Sequence, residues 1–457
     1  MTAPLTEALA AFVAALRPEA LPDEVLARTR QVVRDGAGAL LAAANPEFTT
    51  GRRIAAFARE VGGKPEASVV GHGFKTDAVT AALANGTMGY ACDVEPHHPE
   101  GILHPIAVLL PTALAVAEKT GAGGRELLVA VALGAEVEYR VSMALGPAAQ
   151  YALGFHPSAV CGAFGATAAT ARLLDLDREA VGRAFGLAAC QASGLMAWES
   201  DESENARPFQ MGLAARNGVT AALLAAGGFG GPPAVFDHGH TIFKAFSRSP
   251  EPERLVAGLG QSFEGIMELA IKPYPCVAFL HPALDALSEL QARTSAEAID
   301  RITLRFPRSG AHCVDDNPLK SHSAQYILPV AAVRGRLEVR DIFHDAREDD
   351  AAIRSLSQRT EVIADDGELE ALFPDYYASE LTLTLRDGET LTRRIDIARG
   401  YPEAPLGEAE LEAKFRGLAG SVASDGRVDR LWKALNGLGD AEDVAELAEL
   451  LGAPVGD

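Results

Sequence analysis

Between two stretches rich in small residues the chain carries Asp93-Val94-Glu95-Pro96-His97-His98-Pro99-Glu100-Gly101-Ile102-Leu103-His104-Pro105, three histidines and three carboxylates in one short segment. Imidazole titrates near neutral pH and a carboxylate can orient it, so this mixture suits acid–base catalysis or the binding of a carboxylate. The same residue types ligate zinc or iron. Their spacing fits no metal motif, and Pro96, Pro99 and Pro105 imply an irregular loop, so no metal is expected here. Without a chemical role the segment would be a solvated loop.

Four further positions carry usable chemistry. His156, in Gly154-Phe155-His156-Pro157-Ser158, stands just before an Ala/Gly-rich helical pattern that Ser158 can cap. Arg207 follows the polar run Glu199–Asn205, and its planar fork suits a carboxylate near a helix start. Lys272 is flanked by Ala270-Ile271 and Pro273-Tyr274-Pro275, which predicts a partly buried ammonium at a domain junction. Tyr326, in Ser321-His322-Ser323-Ala324-Gln325-Tyr326, is either a core aromatic with a satisfied hydroxyl or a donor to substrate.

The elements that must position these groups are mostly helical. Apolar periodicity predicts helices over 22–43, 76–91, 105–120, 123–144, 158–174, 177–194 and 208–227, with residues 5 to about 265 helical almost throughout. Composition agrees: 48% hydrophobic but only 6% aromatic favours close-packed helices over a sandwich or barrel. After Lys272 the pattern changes. Residues 299–306 and 381–385 alternate as strands, and Asp387-Gly388 turns the chain into a returning strand over 391–397. Helices are expected near 280–292, 321–335 and 349–358, then over 408–418 and 428–451. At 457 residues two domains are expected: a helical one over 1–268, a smaller α+β one over 269–404, and C-terminal helices over 405–457 rejoining the first.

A net charge of −21 argues against nucleic-acid or anionic-membrane partners, because phosphate binding needs a basic stripe. The apolar run 106–117 is too short to span a bilayer. Five dispersed cysteines without a CxxC pair, and a start lacking signal-peptide character, predict free thiols in a cytoplasmic protein.

Asn85-Gly86-Thr87, Asp93, His104-Pro105, Ala117-Glu118, Gly134-Ala135-Glu136-Val137, Gly154-Phe155-His156-Pro157, Gly227-Gly228-Phe229-Gly230-Gly231-Pro232, Lys272-Pro273-Tyr274-Pro275 and the Ser321–Tyr326 run together resemble the MmgE/PrpD family. That family includes 2-methylcitrate dehydratase, cis-aconitate decarboxylase and iminodisuccinate epimerase. The resemblance implies a mainly α protein, with a large helical domain formed by both chain ends, a smaller α+β lid, a cleft site between them, a homodimer, and no metal or organic cofactor. Site residues of the decarboxylase branch would fall on Asp93, His97, His104, His156, Arg207, Lys272 and Tyr326. This chain departs in reading Glu95-Pro96-His97 where Asp-Asp-Thr is familiar, and Arg207 where Lys is.

The resulting expectation is a cofactor-independent lyase, dehydratase-type, acting on a di- or tricarboxylate by proton abstraction next to a carboxylate. Arg207, His97 and Lys272 would bind carboxylates, His104 and His156 would be acid and base, Asp93 would orient an imidazole, and Tyr326 would donate a hydrogen bond or proton. Alternatives are an epimerase or isomerase with two opposed acid–base groups, a decarboxylase, and a non-catalytic or metal-dependent relative.

Overall fold

The computed structural model describes residues 4–343 and 348–456. It is mainly α-helical with a smaller α+β part. Helices Asp23–Ala42, Ala78–Ala91, Pro105–Thr120, Gly124–Leu145, Pro157–Leu173 and Ala206–Ala226 form where the periodicity placed them. Their starts follow local chemistry. Asp77 accepts from the N–H groups of Val79 and Thr80, while Pro105 and Pro157 occupy first-turn positions that need no donor. Leu5–Ala15 and Thr49–Val61 add two helices that the periodicity did not delimit.

The helices approach one another very closely. A Cβ on Gly86 would lie 2.9 Å from Gly212 Cα, and one on Gly212 would lie 3.0 Å from Thr87 N, so both positions need glycine. This contact brings Arg207, at the start of one helix, over the ring of Tyr90, at the end of the other, with the guanidinium carbon 4.6 Å from the centroid.

Two corrections to the expected helices matter. The helix expected over 177–194 stops at Ala189; beyond it Gly194 takes φ of 146° and its carbonyl accepts from His156 N–H at 3.1 Å. That early stop lays Leu195 beside Phe155 and delivers Trp198 toward His156. The single helix expected over 428–451 is two, Asp425–Asn436 and Ala445–Gly452, broken at Gly437 and restarted with Asp443 accepting from Ala445 N–H.

One core draws on Val32, Leu40, Val108, Leu127, Phe164 and Phe185, and is completed by Leu411, Phe415, Leu431 and Leu447 from the far end of the chain. A second is built from Leu280, Leu287, Ile302, Leu304, Phe306, Ile327, Leu381 and Leu383. Each such fully buried side chain stabilises the fold by roughly 1.5–3 kcal/mol relative to exposure.

Strands β1 (Ala67–Val69) and β2 (Phe74–Thr76) form a short hairpin. Strands β3 (Ile299–Pro307), β4 (Thr360–Asp365), β5 (Ser379–Leu385) and β6 (Thr390–Ile395) make a sheet of order β4-β3-β5-β6. The β5–β6 hairpin turns at Asp387-Gly388, with Gly388 at φ 93°. Leu381, Leu383 and Leu385 alternate inward on β5. Strand β4 pairs parallel to β3 and was not legible in the sequence, because only Thr360 and Asp365 of it are buried. Polar cross-strand contacts hold it instead, Arg305 to Asp365 at 2.5 Å and Thr303 to Glu361 at 2.9 Å.

Candidate active site

The loop after helix Ala78–Ala91 is tightly fixed. Asp93 and Ile102 both take φ of 50°, a region that costs a β-branched residue in particular. Paired backbone hydrogen bonds hold that conformation: His98 with Leu103 at 2.7 and 3.2 Å, and His97 with Ala270 at 2.9 and 2.8 Å. His98 is consumed in the same task. Its Nδ1 accepts from Gly101 N–H at 3.1 Å, its Nε2 lies 3.2 Å from Glu264 O, and its ring stacks on Tyr139.

The loop carries two carboxylates to two cations. Lys272 Nζ donates to Asp93 Oδ1 and lies 3.6 Å from Glu95 Oε1. Arg207 reaches the other oxygen of Asp93 at 3.4 Å. Glu95 Oε1 is 2.8 Å from His104 Nδ1, and because a carboxylate can only accept, Nδ1 carries the proton and Nε2 is left as a base. Burial pushes the Asp93 carboxyl up, but Lys272 and then Arg207 more than offset this and hold it well below the usual carboxylate range. Burial lowers the Lys272 ammonium, yet Asp93 and Glu95 raise it above its ordinary value, so it stays charged. Burial lowers the His104 imidazole, partly countered by Glu95.

Aromatic rings wall this cluster. Tyr90 lies 4.5 Å from the His104 ring and 6.0 Å from His156, centroid to centroid, and Trp198 lies 5.9 Å from His156. His156 Nδ1 meets Gln210 Oε1 at 3.1 Å, which makes Nδ1 the donor, and burial lowers this imidazole to about 3. His97 lies 6.0 Å from His104 and edge-on to Tyr401. Burial and then Lys272 keep the His97 imidazole well below its ordinary value, hence neutral. Both ring nitrogens of His97, Glu95 Oε2, Arg207 Nε, Trp198 Nε1 and the Tyr401 hydroxyl have no hydrogen-bond partner in the protein. Buried polar atoms are rarely left so, and their concentration around one cluster marks a place where a polar ligand completes them. Asp93, Glu95, His97, His156, Arg207 and Lys272 are all buried, whereas the His104 side chain keeps 17% of its surface exposed.

Six of the seven residues singled out in the sequence therefore meet: Asp93, His97, His104, His156, Arg207 and Lys272. Tyr326 does not join them. Its hydroxyl donates to Asp341 O at 2.7 Å and its ring faces Lys320, because it sits in the first turn of helix Ala324–Arg334 and points away. From the same run His322 arrives instead, its ring 6.3 Å from Trp198 and its Nδ1 2.9 Å from Ser321 Oγ. The expected orienting role of Asp93 falls to Glu95, since Asp93 is taken up by Lys272 and Arg207. Tyr90, Trp198 and Tyr401 had no signal beyond being aromatic, and Glu95 had none that separates it from Glu100, which stands nearer to His104 in the sequence. Among the described residues no three His, Cys, Asp or Glu side chains are grouped as a metal would require.

Burial lowers four imidazoles far below their ordinary value: His98 to about 4, and His156, His281 and His322 to about 3. Their folded pKa values lie below the unfolded one, so the unfolded chain binds more protons and stability falls as pH drops from 6.5 toward 4. At pH 5.5 each costs about 1.4 kcal/mol, an upper bound of roughly 6 kcal/mol together. Glu138 and Asp35, raised by burial, oppose this. Histidine C2–H spectra of the folded protein are expected to show rings that stay neutral from pH 7.5 to 5.5; titration of every histidine near 6.5 would mean that these rings are not held neutral.

A mainly helical protein with an enclosed acid–base cluster, bounded by a smaller α+β part, is thus the class that fold and site define. The family model of the MmgE/PrpD N-terminal domain matches residues 7–255 and that of the MmgE/PrpD C-terminal domain matches 274–438. The chain belongs to the MmgE/PrpD family. Across 99% of its length it is 28% identical to a cis-aconitate decarboxylase of Aspergillus terreus, covering 96% of that protein. Identity is 29% to a cis-aconitate decarboxylase-like protein of Aspergillus oryzae, over 98% of this chain and 97% of the relative. It is 28% to the human cis-aconitate decarboxylase, over 98% and 95% respectively. No helix of the described residues is long and apolar enough to cross a membrane.

Proposed function

We propose that this protein is a cofactor-independent lyase of a di- or tricarboxylate, dehydratase-type, in which His104 moves the proton. The observation that carries this reading is the Glu95–His104 pair at 2.8 Å, set beside Lys272 and Arg207 in a buried cluster with unpartnered polar atoms. Nε2 of His104 takes the proton next to a substrate carboxylate. The C–H electrons pass into that carboxylate, where Lys272 and Arg207 stabilise the added negative charge. The imidazolium then returns its proton to the leaving hydroxyl as the C–O bond breaks, so an alkene and water result. Two carboxylates and two cations leave the cluster balanced before substrate arrives, so a polycarboxylate must draw Lys272 and Arg207 partly away from Asp93.

A second reading is decarboxylation. It is favoured by the names of the relatives and by the need for a single proton-transfer group, since His104 is the one imidazole with a carboxylate partner among the described residues. The same fact weakens an epimerase, which needs two opposed groups. As parts of this proposal the enzyme is a cytoplasmic homodimer with its α+β lid over residues 269–404 and its helical domain over 1–268 and 405–457.

Proton NMR in deuterated buffer, with citrate, 2-methylcitrate, cis-aconitate, malate, tartrate and iminodisuccinate, tests the reading. A new vinyl signal with loss of the signal of the C–H next to the carbinol carbon is the expected result. Carbon dioxide release would select the decarboxylase, deuterium exchange without elimination would select the epimerase, and silence across the panel would remove the polycarboxylate assignment.

A further inference from the structure

Lys414 lies in the helix Glu408–Gly420, whose residues Leu411, Phe415 and Leu418 enter the first core. Its ammonium is buried with them. Nζ lies 2.6 and 2.8 Å from the two oxygens of Asp35, on helix Asp23–Ala42, and donates to Val94 O at 2.8 Å. Val94 separates Asp93, which takes Lys272 and Arg207, from Glu95, which takes His104. Two helical turns before Asp35 on the same face, Arg28 donates to Leu269 O, the neighbour of Ala270. Both strands of the His97–Ala270 bridge are thereby tied to one helix.

A buried ion pair is a poor device for stability alone, because apolar residues of like volume serve as well or better. A cation fixed at a carbonyl does something apolar residues cannot: it sets the position of that peptide. We propose that Lys414, held by Asp35, is a positioning residue that fixes the Asp93–Glu95 segment so that Glu95 presents His104 in its Nδ1–H tautomer. The proposal rests on the reading of His104 as the proton-transfer group. The charged groups facing Lys414 are Asp35, Glu95 and Lys272, with Arg28 behind Asp35.

The test compares Lys414→Met, Asp35→Asn, the double variant and Lys414→Arg. The double variant leaves no lone buried charge and serves if either single variant fails to fold. Side-chain nitrogen spectra of histidine-labelled protein, with His104 assigned by its loss in His104→Gln, report the tautomer without any substrate. Expected results are a mixture of His104 tautomers and a shifted titration in the double variant, a roughly 10- to 100-fold fall in kcat with KM nearly unchanged, and partial recovery in Lys414→Arg. A folded double variant with the parent's His104 spectrum and parent kcat would overturn the proposal. If the parent chain turns over none of the panel, the function reading fails, while the His104 spectrum still decides the positioning role.

Discussion

Replacing Lys272 by Met is expected to lower kcat/KM by roughly 10³-fold or more. The ammonium is 1% exposed, donates to Asp93 and sits 3.6 Å from Glu95, so it is the cation at the centre of the cluster. Removing one preorganised group that stabilises developing negative charge costs about 10²–10³ in kcat, and binding of a carboxylate adds to that. The substitution also leaves Asp93 with Arg207 alone, at 3.4 Å, so stability should fall by roughly 3 kcal/mol. Lys272→Arg separates the two effects: it restores charge and stability but not the position of the point charge, so activity should stay low. Steady-state kinetics with urea unfolding decides. Near-normal turnover of a folded Lys272→Met protein would remove Lys272 from the reaction.

Glu95→Gln is expected to lower kcat by roughly 10²–10⁴ with a small change in KM. The amide is nearly isosteric, so the packing survives. It offers an NH₂ group as readily as an oxygen, and the NH₂ orientation forces the proton of His104 onto Nε2, where a base is needed. The Glu95 carboxylate also stabilises the imidazolium that forms once His104 has taken a proton, and a neutral amide cannot. His104→Gln should bring turnover down to a similar level, and the pair Glu95→Gln/His104→Gln should be little worse than His104→Gln alone, because the two residues act as one unit. Full additivity of the two losses would show that Glu95 acts independently of His104.

Much of the fold could be read in the chain because long Ala- and Leu-rich apolar stretches, buried nearly all round, run between Pro, Asp or Gly at their ends. Strand β4 escaped because an open edge strand needs no apolar alternation. The stop at Ala189 escaped because it depends on Gly194 meeting His156, a contact between segments that no local pattern encodes. The site shows the same division. The residue types of Asp93, His104, Arg207 and Lys272 announced charge chemistry, but which carboxylate served which partner was decided by the positive φ of Asp93, which turns that side chain toward Lys272 and leaves Glu95 for His104. Tyr326 shows the limit from the other side: His322 lies in the turn Lys320–His322 and meets Trp198, while Tyr326, past the extended Ser323 in the first turn of the next helix, bonds to Asp341.

The link from Lys414 to Val94 spans 320 residues, and that separation sets an order of events in the cell. A ribosome adds about 5–20 residues per second, so the loop bearing Asp93 and Glu95 leaves the tunnel roughly 15–60 s before its anchor is made. During that interval the first helices can pack, since Val32, Val108 and Leu127 are already present. Their acid–base loop, however, gains Lys272 only part-way through the interval and Lys414 only at its end. The last tie on that loop is therefore made late in synthesis, and a chain ending shortly before residue 414 would keep the Lys272 and Ala270 contacts but lack the one at Val94.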